Sequence, residues 1–200
     1  IMNSPHLAVI LLSPPKTGYS LIFENKIAGI PLFKRLILTL QRAGINEFLV
    51  FSRQLDEREI KIHRKSIEKD SRLKSLLHWH DCAEFFAANS REQANALTPS
   101  QPFLLVNGKL VTHQKVIRRF MESENNYKPD GIFCLELEPG KPGGLYLLPP
   151  TKFSTLSHHN GTEDDEAKAE RIALPADQNF WIEVRDNALR PDGRKETTSL

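Results

Sequence analysis

Leu7-Ala8-Val9-Ile10-Leu11-Leu12 is an unbroken apolar run between Pro5 and Ser13-Pro14-Pro15, the pattern of a strand buried on both faces, as in a parallel sheet. Pro31 then stands where a first helical turn tolerates it, ahead of Leu32, Phe33, Leu36, Ile37 and Leu40 at helical spacing. Ala43-Gly44 supplies the stop, with the glycine just past the last turn. Phe48-Leu49-Val50-Phe51 follows as a second buried strand. Strand, loop, helix, glycine stop and strand within about 45 residues predict a βαβ unit with a right-handed crossover.

The alternation then repeats. From Leu55 to Leu77 a charged segment carries Ile60, Ile67 and Leu76 or Leu77 near one face, which predicts a solvent-facing helix with one apolar stripe. Residues 83–97 suggest a further short helix. Phe103-Leu104-Leu105-Val106 reads as a third buried strand ending at Asn107-Gly108, and His113 to Glu124 as a helix with Val116, Ile117 and Phe120 inward. Gly131 to Leu137 and Gly143 to Leu148 predict two more strands, antiparallel across so short a connection. His158 to Glu170 holds the acidic run Glu163-Asp164-Asp165-Glu166 and predicts a surface loop, and Phe180 to Val184 a terminal strand. The expected fold is an α/β, three-layer domain with a mostly parallel central sheet over residues 1–190, and residues 191–200 read as a tail or linker.

Composition narrows the function classes rather than naming one. Two hundred residues, 40% hydrophobic and 26% charged, exclude collagen, coiled coil and wholesale disorder. With 27 Lys and Arg against 25 Asp and Glu, the net charge of +2 is too small to argue for nucleic acid bound by counterion release. Cys82 and Cys134 stand far apart and form no CxxC, which fits a reducing, cytoplasmic setting. No apolar stretch approaches the roughly 20 residues of a membrane span. The chain begins at Ile1 and ends in a polar stretch at Leu200, and reads as a piece of a longer protein whose missing part would supply any membrane domain.

In a parallel α/β sheet ligands collect at the carboxyl ends of the strands, which singles out Ser13 to Ser20 and Asn107 to His113. The candidate ligand-binding residues are Ser13, Lys16, Thr17, Asn107 and Lys109. The first loop has one glycine, Gly18, and lacks the glycine spacings that let backbone amides close on a phosphate. Lys16 is left as a point charge, or as an ordinary solvated lysine.

Ala8-Val9-Ile10-Leu11, Ile27-Ala28-Gly29-Ile30-Pro31-Leu32, the helix with Arg35 and Ile37, and Ala43-Gly44-Ile45-Asn46-Glu47-Phe48-Leu49-Val50 resemble the opening of the sugar-phosphate nucleotidyltransferases. The match is nearest to the inositol-phosphate cytidylyltransferase-like domains fused ahead of membrane CDP-alcohol phosphatidyltransferases. It covers residues 7–52 and extends to 102–124. The resemblance implies a nucleotide-diphospho-sugar transferase-like, Rossmann-like fold. It also implies a nucleotide held on a glycine-rich loop with an Arg and a following Lys, and a divalent ion held by an Asp closing the third-strand motif.

At each of those points this sequence departs from the pattern. Ser13-Pro14-Pro15-Lys16-Thr17-Gly18-Tyr19 has neither the glycine pair nor the Arg, Ile22 or Phe23 falls near the expected Lys, and Lys109 occupies the place of the Asp. Mg²⁺ takes hard oxygen ligands, so an ammonium there repels the ion it should bind. The leading expectation is therefore a degenerate nucleotidyltransferase-like domain that binds a nucleotide or phosphorylated small molecule, with no cofactor and no nucleic acid. The alternative is an active nucleotidyltransferase in which other acids, such as Asp130 or Asp186, hold Mg²⁺.

Two further groupings bear on chemistry. His78 and His80 share a side if the segment is a strand, and with Cys82, His158 or His159 offer zinc ligands; the bland reading is that Trp79 and Cys82 pack with the histidines at the rim. Glu136 and Glu138 likewise share one strand face, as an acid/base pair or as solvated side chains. No serine sits in a nucleophile elbow.

Overall fold

The computed structural model describes residues 5–12, 25–52, 57–81, 98–108, 110–122, 131–138, 141–157, 170–173 and 182–183. In chain order these form β1 (Leu7–Leu12), β2 (Lys26–Ile27), β3 (Ile30–Pro31), α1 (Leu32–Ala43), β4 (Glu47–Ser52), α2 (Glu57–Glu68) and β5 (Leu76–Asp81). There follow β6 (Phe103–Asn107), β7 (Leu110–Val111), α3 (Gln114–Glu122), β8 (Phe133–Glu138), β9 (Lys141–Leu148), a 3₁₀ segment (Pro150–Ser157), β10 (Glu170–Ala173) and β11 (Ile182–Glu183).

Seven strands make one sheet in the order β10-β8-β9-β6-β1-β4-β5. β1 lies between β6 and β4 and runs parallel to both, and β5 extends the parallel set. β9 runs against β6 and β8, and β10 parallel to β8, so six strands share one direction. This is the mostly parallel α/β architecture that the apolar runs predict.

Alternation along each strand builds two cores. Ala8, Ile10, Leu12, Phe48, Val50, Leu104 and Val106 face one side, where they meet Phe33, Leu36, Ile37 and Leu40 of α1, Ile67 of α2, and Val116, Ile117 and Phe120 of α3. Leu7, Val9, Leu49, Phe51, Phe103 and Leu105 face the other, under Phe153 and Leu156 of the 3₁₀ segment. Both faces of β1 are dry, which explains its unbroken apolar sequence.

α1 begins directly after Pro31, whose φ of −51° and ψ of 140° end the short β2–β3 hairpin. The Leu32 amide bonds the Asn25 carbonyl at 2.9 Å. Gly44 closes the helix at φ +113°, a conformation that strains any side chain, and Ile45 N–H reaches back to the Leu40 carbonyl at 3.2 Å. The His6 carbonyl then accepts from Asn46 and Glu47 and starts β4 beside β1.

The expected helix over 55–77 is shorter in the structure. α2 stops at Glu68, and Leu76 and Leu77 open β5, Leu76 with 63% of its surface exposed. Asp70 is the cause: its Oδ1 accepts the Arg72 amide at 3.0 Å, a local turn that competes with helical bonding. Its carboxylate also meets Lys34 Nζ of α1 at 2.9 Å and Arg72 Nη2 at 2.7 Å. Gln41 of α1 accepts from the Lys74 and Ser75 amides at 2.6 and 3.0 Å and donates to the Arg72 carbonyl at 2.9 Å. The connection from α2 to β5 is thereby tied along α1.

The segment expected as a helix over 83–97, the loop 13–20 and the tail 191–200 lie outside the described residues. Of the terminal strand only Ile182–Glu183 is described, and it pairs antiparallel with β7. No described helix is long and apolar enough to cross a membrane.

The Arg72 hydrogen bond, then that of Lys34, hold the Asp70 carboxyl well below the usual carboxylate range, so its stabilisation is complete above pH of about 4 and is lost as pH falls further. Asp70→Asn is expected to lower stability at neutral pH by about 1 kcal/mol and to flatten the acid limb of the stability profile, measured by urea unfolding from neutral to strongly acidic pH.

Candidate functional site

The carboxyl ends of the parallel strands fall on one edge of the sheet. Leu12, Ser52 and Asp81 are in register at the ends of β1, β4 and β5, and Asn107 at the end of β6 pairs with Leu11. β9 arrives in the opposite direction, so Gly143 and Gly144 in its first half reach the same edge, with Leu145 paired to Val106.

Two glycines shape the ground around Asn107. The Gly108 amide donates to the Leu11 carbonyl at 3.0 Å, and a Cβ on Gly108 would stand 2.5 Å from Leu12 Cδ2 and 3.1 Å from the Leu11 oxygen. Gly144 has φ of +71°, and a Cβ there would lie 3.1 Å from Asn107 Cβ. Neither position accepts a side chain without movement. Asn107 itself is exposed, an amide that can donate to a phosphate or sugar oxygen and accept from a hydroxyl.

The edge continues into α3. Thr112 is only 9% exposed, and its Oγ1 has no hydrogen-bond partner among the described residues. His113 Nδ1 accepts the Lys115 amide at 3.2 Å and so caps the helix that buries Val116, Ile117 and Phe120.

Of the candidates from sequence, Asn107 is the one that the structure places. Ser13, Lys16, Thr17 and Lys109 lie outside the described residues, as do Asp130 and Asp186; Gly108 and Leu110 on either side of Lys109 are placed. Gly144 escaped the sequence reading. The signal was there: glycine inside a strand pattern marks a close backbone approach.

The described part of the histidine grouping lies on β5. β5 is a strand, so His78 and His80 share a face while Trp79 turns to the other and meets Phe33 edge-on at 5.6 Å. His78 Nε2 stands 3.6 Å from Glu47 Oε1. His80 stacks on Phe51 at 5.7 Å, and burial, helped by His78 and Arg64, pushes its pKa down. No three His, Cys, Asp or Glu among the described residues are grouped to hold a metal ion. Cys82, His158 and His159 lie outside those residues. Glu136 is half-buried on β8, where the register with β9 shifts between Cys134 and Glu136 and again between Glu136 and Glu138.

No protein-family model and no curated protein matches the chain. Solved structures do. The inositol-1-phosphate CTP transferase from T. maritima matches at a TM-score of 0.63 and 14% identity, over 96% of this chain and 94% of that one. The chain has the nucleotide-diphospho-sugar transferase-like fold. HddC from Yersinia pseudotuberculosis matches at 0.61 and 14% over 89% and 93%, and a putative glucose-1-phosphate thymidylyltransferase from Bacillus anthracis at 0.57 and 12% over 88% of each chain. The likeness spans both the βαβ half and the antiparallel β8–β9 half.

Gly108→Ala is expected to destabilise the protein by about 1–3 kcal/mol, because the methyl group displaces Leu12 or parts β6 from β1. Gly144→Ala is expected to cost about 1 kcal/mol through its positive φ. Urea unfolding of both variants checks this, and a Gly108→Ala variant as stable as the native chain contradicts the packing described.

Proposed function

We propose that the chain is a nucleotidyltransferase-fold domain that binds a nucleotide or phosphorylated small molecule at the carboxyl edge of β1 and β6 and does not transfer a nucleotidyl group. The observation that carries this reading is the order Asn107-Gly108-Lys109 at the end of β6. The resemblance calls for an aspartate at the third of these positions. The Gly108 amide holds the turn against β1, while the residue that follows in sequence carries an ammonium group.

The donor set does not suit Mg²⁺. Asn107 supplies a neutral amide, and a lysine beside it opposes a divalent cation by direct charge repulsion. It does suit an anion held without metal, with Lys109 and Lys16 as fixed charges and Asn107, Ser13 and Thr17 as hydrogen-bonding groups. Similar structures support this ligand class: one HddC structure is complexed with GMP-PN, and a UDP-glucose pyrophosphorylase, at a TM-score of 0.54, with UDP-glucose.

The resemblance over residues 7–52 and 102–124 supports a wider context. In it, residues 1–190 are the N-terminal, ligand-sensing part of a CDP-alcohol phosphatidyltransferase acting in phospholipid synthesis at the cytoplasmic face of a membrane, and 191–200 lead toward its membrane domain. The reading frame beyond Leu200 decides that context: apolar spans with an acidic catalytic signature support it and a stop codon removes it.

The experiment for the site itself pairs activity with binding. With CTP or another nucleoside triphosphate, Mg²⁺ and a panel of sugar and inositol phosphates, pyrophosphate release is expected to stay at background. Calorimetric binding of the preferred phosphate compound is expected to persist in EDTA and to weaken about tenfold in Lys109→Ala, the usual scale for losing one charge-assisted hydrogen bond. Mg²⁺-dependent pyrophosphate release at an enzymatic rate overturns the proposal.

A further inference from the structure

We propose that the outer face of α2 docks on an anionic lipid surface. Arg58, Lys61, Lys65 and Lys69 recur at spacings of three, four and four, which stacks them on one side of the helix. All four are exposed. Lys69 belongs to the same stripe, because its amide continues the helical pattern by bonding the Lys65 carbonyl at 3.2 Å. Ile62, four residues after Arg58 and three before Lys65, lies in the middle of the stripe with 65% of its surface exposed. Ile67 is buried in the core on the far side of the helix and fixes which face looks outward.

Lys61, Lys65 and Lys69 form no ion pair among the described residues, and Glu68 on the flank is taken by Arg64 at 2.7 Å. A chain of net charge +2 thus presents these three lysines along roughly 12 Å of helix. An exposed isoleucine among long, flexible lysines suits the headgroup boundary, where lysines spread over anionic headgroups and an apolar side chain enters the acyl margin. Nucleic acid is the poorer partner: the stripe has no aromatic side chain to stack on bases and one arginine to fork onto phosphates. The inference draws on nothing at the carboxyl edge of the sheet and stands apart from the function proposed there.

The test is co-sedimentation of the full chain with phosphatidylcholine vesicles and with vesicles containing about 30% phosphatidylserine, at low and high salt. Binding is expected for the anionic vesicles at low salt and is expected to vanish at high salt. Each lysine replaced by glutamine at 61, 65 and 69 is expected to weaken binding about fivefold, while the Lys→Arg triple variant retains it and Ile62→Asp weakens it. Circular dichroism checks that the variants stay folded. Equal binding to both vesicle types, no binding at low salt, retention by the triple glutamine variant, or tighter binding to a short DNA duplex than to the anionic vesicles overturns the proposal.

Discussion

The hydrogen bond from Gly108 N–H to the Leu11 carbonyl, 3.0 Å long, is the constraint on which the site depends. It closes the last rung between β6 and β1 at the edge where ligands meet a parallel sheet. It is possible only because residue 108 has no side chain, Leu12 already occupying that space. A backbone held so tightly leaves little freedom for what is bonded to it. The chemistry of the edge is therefore set by which residues follow Gly108 and which face it from β9.

That edge is built by two different kinds of strand. β1, β4, β5 and β6 deliver their ends to it as a parallel sheet does, and β9 brings Gly144 against Asn107 from the opposite direction. The fold stays rigid behind it because β1 is packed on both faces and α1 is pinned at both ends, by Asn25 before it and by Gln41 and Asp70 contacts along it. Arg118 of α3 adds a bond to the Arg42 carbonyl, so the two helices on that face are also joined to each other. An edge on such a scaffold is held in place.

Much of this was legible in the residue pattern. Buried strands at Leu7–Leu12, Phe48–Phe51 and Phe103–Val106 announce themselves by unbroken apolar runs, and α1 by its spacing and Gly44. The overlong helix after Leu55 failed for a local reason, since Asp70 bonds the backbone and cations from two elements, and periodicity carries no record of a partner such as Lys34 from 36 residues earlier. His78 and His80 read either as a zinc pair or as the rim of a packed strand, because i and i+2 share a strand face. Only the fold shows Phe33 beneath Trp79 and Phe51 beside His80. Gly144 was missed because its meaning lies in Asn107, a residue brought to it by the β6–β9 pairing.

The central claim is that this edge lacks a divalent-cation site, and a Mn²⁺ titration followed by NMR tests it most directly. Paramagnetic broadening reports which amides lie near the ion. The account predicts that the Asn107 and Gly108 amide signals broaden no more than those of Asn46 and Glu47 at the opposite end of the sheet, and that Lys109→Asp makes them vanish first. Selective loss of the Asn107 and Gly108 signals in the native chain at equimolar Mn²⁺ contradicts it.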